Sequence, residues 1–299
     1  MAAALFVSTS FFSTFTRSES GRESWCSPQW REILRARARK DGRRNASACA
    51  YGTKMSVAKF SGKKVAVEAV LYTSLTSNFG ARPRHVIYSL GLEDRIAIER
   101  PPGFKTPEFA EINPTGKIPA MMLTNGVVLP ESDTITRYLI DAYGGGRLLP
   151  TTPELRAIGN TVARIHDLYL HPHQKALYNR MDYSERQKSF EAIKHYLSVI
   201  QMYMTANYRM MCGDYVTLPD ISLYPTMVFY QFILQEYWSW QPYEMFEGRP
   251  LLARWWDHVN EDSVVQRIRE EIEAGLTNWA TSGRLLEMKQ AIESGAGYS

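Results

Sequence analysis

Cysteine is scarce in this chain. Three occur in 299 residues, and Cys26 and Cys49 both lie near the start. Cys212 is therefore the lone thiol of the body, which cannot form an internal disulfide. No C-x-x-C and no paired Cys/His spacing suggests zinc. His171 and His173, separated by Pro172, read as a surface loop pair and not as metal ligands. No apolar run approaches the eighteen or so residues that a membrane helix needs. The net charge of +4 looks like a hint of acidic partners until it is divided. Residues 1–54 hold ten Lys and Arg against four Asp and Glu, leaving 25 against 27 for the rest. The body is slightly acidic, so the basic excess gives no support to nucleic-acid binding.

The excess belongs to a leader. MAAALFVSTSFFSTFT is rich in hydroxyl and small residues and has no acid, and RARARK and GRR follow it. Basic, Ser-rich and acid-poor is the composition of plastid or mitochondrial transit peptides, and Ala2 with the hydroxylated start favours the plastid. Cytoplasm is the remaining alternative. Ala48-Cys49-Ala50 suggests processing, with the mature chain starting near residues 51–56. Over the whole chain, 44% hydrophobic and 22% charged content is ordinary for a soluble protein, and the length allows two modest domains.

The body is organised around residues 113–132, NPTGKIPAMMLTNGVVLPES. Pro119 opens an apolar strand, Asn125-Gly126 predicts a type I′ hairpin turn, and Ser132 is a good N-cap for a helix through Ile135, Tyr138 and Leu139. Before it, 64–72 alternates as a strand, 73–80 is a polar loop, 82–92 reads as a helix ending near Gly91, and Ile96 and Ile98 mark a second strand. The Pro101-Pro102-Gly103 break then leads into 104–111.

This stretch resembles the soluble glutathione transferases, whose pattern N-P-x-G-K/Q-I-P-A, hairpin, E-S is matched by Asn113, Pro114, Gly116, Lys117, Ile118, Pro119, Ala120, Glu131 and Ser132. The likeness extends more weakly over about 64–272. It implies an N-terminal thioredoxin-like domain, a mixed α/β sheet with helices, at 64–144. A linker at 145–153 and an all-helical domain at 154–280 would follow, with a tail at 281–299 that the pattern does not place.

The resemblance also implies a site. A cis Ile118-Pro119 bond would turn the Ile118 N–H and C=O outward as a short strand edge for a peptide ligand. A helix starting near Gly80 offers unpaired N–H groups and a positive dipole end that favour a thiolate. Residues 71–91 align without gaps to the phi-type pattern, which places the thiolate-binding serine on Ser77, with Ala81, Arg82 and Gly91 in step. Thr76 and Asn78 are the fallback, and Tyr72 reads as a strand residue. Glu131 and Ser132 would hold the γ-glutamyl end of glutathione, Ile118 its cysteinyl backbone beside Pro119, and Lys105 and Lys117 its glycyl carboxylate. Phe104 departs from the phi pattern, which has a glutathione-contacting histidine there. The loop at 73–80 has no cysteine, so mixed-disulfide chemistry of the glutaredoxin or dehydroascorbate-reducing kind is not expected.

In the second half, Thr217-Leu-Pro-Asp220 reads as a capping box, and Gly213, Asp214, Thr217, Leu218 and Asp220 match the family's buried core helix. Residues 251–259, with Trp255-Trp256, resemble its late helix. Tyr169 and Tyr178 are candidates for the electrophile pocket. The reading is a homodimeric, plastid-targeted transferase that needs glutathione and no metal. It would attack hydrophobic electrophiles, with peroxidase activity open. The alternative is a non-catalytic binding or scaffold protein of the same fold.

Overall fold

The structure is a computed structural model and describes residues 67–281, 285–288 and 290. The leader at 1–54 and the first residues of the expected strand, 64–66, lie outside the described residues.

Four short strands form one sheet in the order β2-β1-β3-β4: β1 Ala69–Tyr72, β2 Ile96–Glu99, β3 Ala120–Leu123 and β4 Val128–Pro130. β1 runs parallel to β2 and antiparallel to β3, which pairs antiparallel with β4. Helices α1 (Asn78–Ser89), α2 (Pro107–Ile112) and α3 (Ser132–Tyr143) complete this half. β1 falls within the strand expected from the alternation in 64–72, and all four of its residues are buried. The reason is that both faces are covered. Ala69 and Leu71 join the main core with Ala81 and Ile87 of α1, whereas Val70 and Tyr72 pack with Phe109 of α2 on the other side.

Two local readings change. Of Asn125 and Gly126 only Gly126 has positive φ, at 81°, and Gly126 N–H donates to the Leu123 carbonyl at 2.9 Å. The turn is thus a three-residue loop closed by a left-handed glycine, not type I′, which needs two positive φ values. Ser132 is the first helical residue of α3, and Glu131, at φ 69°, is the cap residue without a side-chain cap bond. The Ser132 hydroxyl is instead turned inward, 3.5 Å from Arg82 Nη1.

The second half is helical: α4 (Pro153–Ile165), α5 (Tyr183–Gln201), α6 (Leu218–Trp238), α7 (Pro250–Val259) and α8 (Ser263–Ala280). A π-turn at His166–Leu170 and a 3₁₀ stretch at His171–Leu177 continue α4. The capping box at Thr217 and Asp220 is present. Buried Asp220 also accepts from Met211 N–H at 3.0 Å and Trp255 Nε1–H at 2.8 Å, tying α6 to α7. α1 is the hinge between the layers, packed on α3 and against α6 and α8. Leu285 and Met288 of the tail are fully buried in the same core. No helix among the described residues is long and apolar enough to cross a membrane.

Candidate functional site

Ser77 is the N-cap of α1. Its backbone is extended (φ −80°, ψ 110°), and its Oγ accepts the Gly80 N–H at 3.0 Å. This is ordinary capping chemistry, but it leaves the hydroxyl proton with no acceptor among the described residues. Gly80 is dictated by space: a Cβ there would fall 1.8 Å from Thr73 Oγ1 and 3.1 Å from Ser77 Oγ. The helix can therefore begin close against the end of β1.

The cap opens on a cleft of about 940 Å³. Ser74 to Phe79 form one wall, and Arg100, Phe104, Lys105 and Ile118 lie along its sheet side. His171, Gln174, Tyr178 and Phe229 face them from the helical half, and α8 closes the end with Trp279. The Ile118-Pro119 bond is cis. Neither Arg100 nor Lys105 forms a salt bridge with a described residue, so this rim is cationic.

The structure brings Ser77, Thr76, Asn78, Lys105, Ile118 and Tyr178 together around this one cleft. Thr76 Oγ1 shares a hydrogen bond with Ser74 Oγ at 3.3 Å. The Asn78 amide donates to Gln174 Oε1 at 2.6 Å, leaving its own buried Oδ1 unpartnered. Of the three candidate donors, Ser77 alone is the helix cap. Tyr72 is buried edge-on against Phe109, 6.1 Å between ring centroids, away from the cleft.

Pro119, Glu131, Ser132 and exposed Lys117 are not among the residues lining the cleft. Ala120 pairs with Pro130, which brings Glu131 level with Pro119 beside the cleft. Lys105 and Glu131 are two of the described non-glycine residues with left-handed backbone, at φ 63° and 69°. Such conformations cost of order 1–3 kcal/mol and cluster where ligands are clamped.

Tyr169 is placed elsewhere. It is half exposed on the outer surface and stacks on Tyr196, 5.6 Å between centroids. The π-turn is the cause: it directs Leu168 and Tyr169 outward while His166 and Leu170 go to the core. The same turn brings His171 into the cleft, 4.3 Å from the Phe79 ring, whereas His173 stacks on Tyr196. The surface-loop reading of the His171/His173 pair therefore fails for His171. Pro172 looks like a loop signal but sits in the first turn of the 3₁₀ stretch, where proline is tolerated. Burial, and next the charges on His166, Arg82 and Lys117, pull the His171 imidazole down to about 3 against a raising contribution from Asp167, so it is neutral. Sequence reasoning also missed Arg100, Gln174, Phe229 and Trp279, which converge only through tertiary packing. No group of three or more His, Cys, Asp or Glu among the described residues is arranged to hold a metal.

Beneath the site lies a buried polar cluster. Arg82 Nη2 donates to Asp167 Oδ1 at 2.6 Å and to the Ser222 carbonyl at 3.2 Å, and His166 Nε2 meets Thr226 Oγ1 at 2.7 Å. Burial opposes ionisation of Asp167, but the His166 hydrogen bond and Arg82 outweigh it and hold the carboxyl well below its usual range.

A thioredoxin-like half joined to an all-helical half, with the cleft between them, is the architecture of a two-domain thiol transferase. Residues 71–147 match the family model described as "Glutathione S-transferase, N-terminal domain", and 165–262 match "Glutathione S-transferase, C-terminal domain". The chain belongs to the glutathione S-transferase family. It is 25% identical over 197 residues to glutathione S-transferase L1 of Arabidopsis thaliana, covering 64% of this chain and 77% of that one. A glutathione S-transferase-like protein, LUC7, of Fusarium sp is 30% identical over 129 residues, covering 40% of this chain and 57% of that one. Among solved structures, the Tau class enzyme of mango, Mangifera indica, superposes with a TM-score of 0.61 at 19% identity, covering 72% of this chain and 97% of that one. The transferase URE2P6 of Phanerochaete chrysosporium, in complex with oxidized glutathione, gives 0.59 at 21%, covering 70% and 97%.

Proposed function

We propose that this chain is a serine-type, phi-like glutathione transferase. The observation that carries the reading is the Ser77 hydroxyl: it caps α1 through its oxygen, faces the cleft, and keeps a proton to donate. A glutathione sulfur beside it would receive that hydrogen bond and the positive end of the helix, both of which favour the thiolate. The rest of the tripeptide fits the surroundings. Ile118 would pair with the cysteinyl backbone next to Pro119. Lys105 and Lys117 would meet the glycyl carboxylate, joined by Arg100 on the same rim. Glu131 and the α3 N-terminus at Ser132 would hold the γ-glutamyl end.

The electrophile would enter from the helical side. Tyr178, Phe229 and Trp279 pack edge-on or tilted at 5.3–6.5 Å and present aromatic surface to the cleft. Phe79 and neutral His171 adjoin them. That lining suits a flat, hydrophobic electrophile. The thiolate would form the C–S bond, and a displaced group would leave with the electron pair of its bond.

The test is an ultraviolet thiolate titration of glutathione bound to the chain from Met55 onward. A bound thiol pKa well below that of free glutathione supports the enzyme. Glutathione that fails to bind, or binds with its pKa unmoved, leaves a non-catalytic protein of this fold. The exposed Leu168 and Tyr169, with Tyr196, would bury their apolar surface against a second copy, and sedimentation at a single-chain mass would refute that homodimer. The leader's composition supports plastid import, which would be refuted if isolated chloroplasts neither take up nor shorten the chain.

A further inference from the structure

Helix α8 supplies Ala274, Gly275, Asn278 and Trp279 to the cleft, although it stands nearly two hundred residues after the Ser77 loop. Two independent contacts hold it there. One is the Arg84 guanidinium, which is fully buried in α1. Its Nη1 donates to Glu271 Oε2 on α8 at 2.6 Å, and its Nη2 donates to the Leu75 carbonyl at 3.0 Å. The other Glu271 oxygen accepts from Tyr88 Oη at 2.8 Å, and Arg267 Nε lies 3.6 Å from it. The second contact is Gly275. A Cβ there would stand 2.9 Å from Thr76 Cγ2 and 3.1 Å from both Leu75 Cβ and Thr76 N. Both contacts converge on Leu75 and Thr76, the residues just before Ser77.

We propose that Arg84 and Glu271 are positioning residues for the thiol chemistry: the pair, with Arg84 buried and Glu271 partly exposed, locks α8 onto the 75–76 segment and so sets where the Ser77 hydroxyl stands against the bound sulfur. The proposal rests on the transferase reading above. A guanidinium is the group the geometry needs, because its planar fork serves a carboxylate and a carbonyl at once. A lysine ammonium could meet Glu271 but would leave the Leu75 carbonyl without its donor. Burial lowers the proton affinity of Arg84 and Glu271 opposes this most strongly, which fits a charge kept inside by its partner.

Arg84 touches none of the groups assigned to the ends of glutathione. Loss of the pair should therefore alter the thiol and leave tripeptide binding intact. The experiment compares Arg84→Lys, Glu271→Gln and Gly275→Ala with the parent in the full body of the chain. For each, S-methylglutathione affinity gives binding without a thiolate, and ultraviolet titration gives the bound thiol pKa. The expected result is S-methylglutathione affinity unchanged within about twofold and a bound thiol pKa raised by about 0.5–1 unit, read as a three- to tenfold loss of thiolate below that pKa. The loss in kcat should be recovered at high pH, which a merely structural defect would not show. An unmoved thiol pKa and pH profile in the variants that fold overturns the proposal, and Gly275→Ala keeps it testable where Arg84→Lys does not fold. A parent whose bound thiol is not acidified overturns the transferase reading instead.

Discussion

Ser77→Ala separates two tasks of one oxygen. As a cap, Ser77 Oγ accepts the Gly80 N–H at 3.0 Å. Removing such a cap costs about 1 kcal/mol, and for a domain of about 150–250 residues that lowers Tm by about 2–4 °C. As a donor, the hydroxyl would make a charge-assisted hydrogen bond to the bound thiolate, worth about 1.5–3 kcal/mol. Divided by 1.36 kcal/mol per unit, its loss raises the thiol pKa by about 1–2 units. At a pH below both pKa values, kcat/KM should then fall about 10–100-fold. Thermal unfolding and the thiolate titration read the two losses separately. Ser77→Thr keeps both cap and donor and should restore both. Ser77→Asp keeps the cap, supplies no proton and adds a like charge, so Tm should recover while the thiol pKa rises further. If Ser77→Ala lowers Tm but leaves the bound thiol unmoved, Ser77 is a cap alone, and the role passes to Thr76 or Asn78.

Two further predictions concern the surroundings of that cap. Gly80→Ala forces a Cβ against Thr73 Oγ1, an overpacking worth about 1–3 kcal/mol. In a Thr73→Ala background the same change should become neutral or stabilising, because alanine is favoured over glycine in a helix by about 1 kcal/mol. Equal losses in both backgrounds would refute the clash. The buried imidazoles give an acid dependence. Burial, chiefly, pulls His85 and His166 down to about 4 and His171 to about 3. As pH falls through the ordinary value near 6.5 the unfolded chain takes up protons that the folded chain refuses until it reaches those lower values. Stability is therefore full above about 6.5 and declines between 6.5 and 4 by up to about 1.4 kcal/mol per pH unit for each histidine. Urea unfolding at pH 7 and pH 5 measures the decline, His85→Gln should reduce its slope by about one proton, and a flat profile would refute it.

What was legible in the sequence was what is local. Pro119 ahead of an apolar strand, Gly126 in a turn, and Thr217 three residues before Asp220 each constrain their own few residues. The elements at those places follow. The family pattern also placed Ser77 at the helix start, although helical periodicity alone began α1 four residues late, at Arg82. What was not legible depends on partners far along the chain. Nothing near Arg84 indicates that Glu271 will neutralise it. Nothing near Tyr169 indicates that a π-turn will shift the helix phase, sending Tyr169 outward and His171 into the cleft. Leu285 and Met288 looked weakly amphipathic, and their burial depends on a core assembled from both halves. Local rules see caps and turns, and they do not see which face of a late helix will meet an early loop.

Arg82 and Arg84 show what that long-range part is for. Two residues apart on a helix, they point to nearly opposite sides of α1. Arg82 reaches Ser132 and Asp167, and Arg84 reaches Leu75 and Glu271. One helix thus ties both the γ-glutamyl end and the thiol end of the proposed site to the helical half. Buried ion pairs are poor sources of stability, because apolar residues of similar volume often replace them at no cost or with a gain. Arg84→Met alone leaves partly exposed Glu271 with Tyr88 and the more distant Arg267, so its cost should fall below the roughly 3–5 kcal/mol of a fully buried pair that loses one partner. Arg84→Met with Glu271→Met should recover most of that, since packing replaces charge and water can reach the Leu75 carbonyl beside a side chain that is 40% exposed. If the pair is kept for position, the double variant will unfold at nearly the parent temperature yet bind glutathione with a less acidic thiol. A double variant that recovers both stability and the acidic thiol would mean that α8 holds the loop by packing alone.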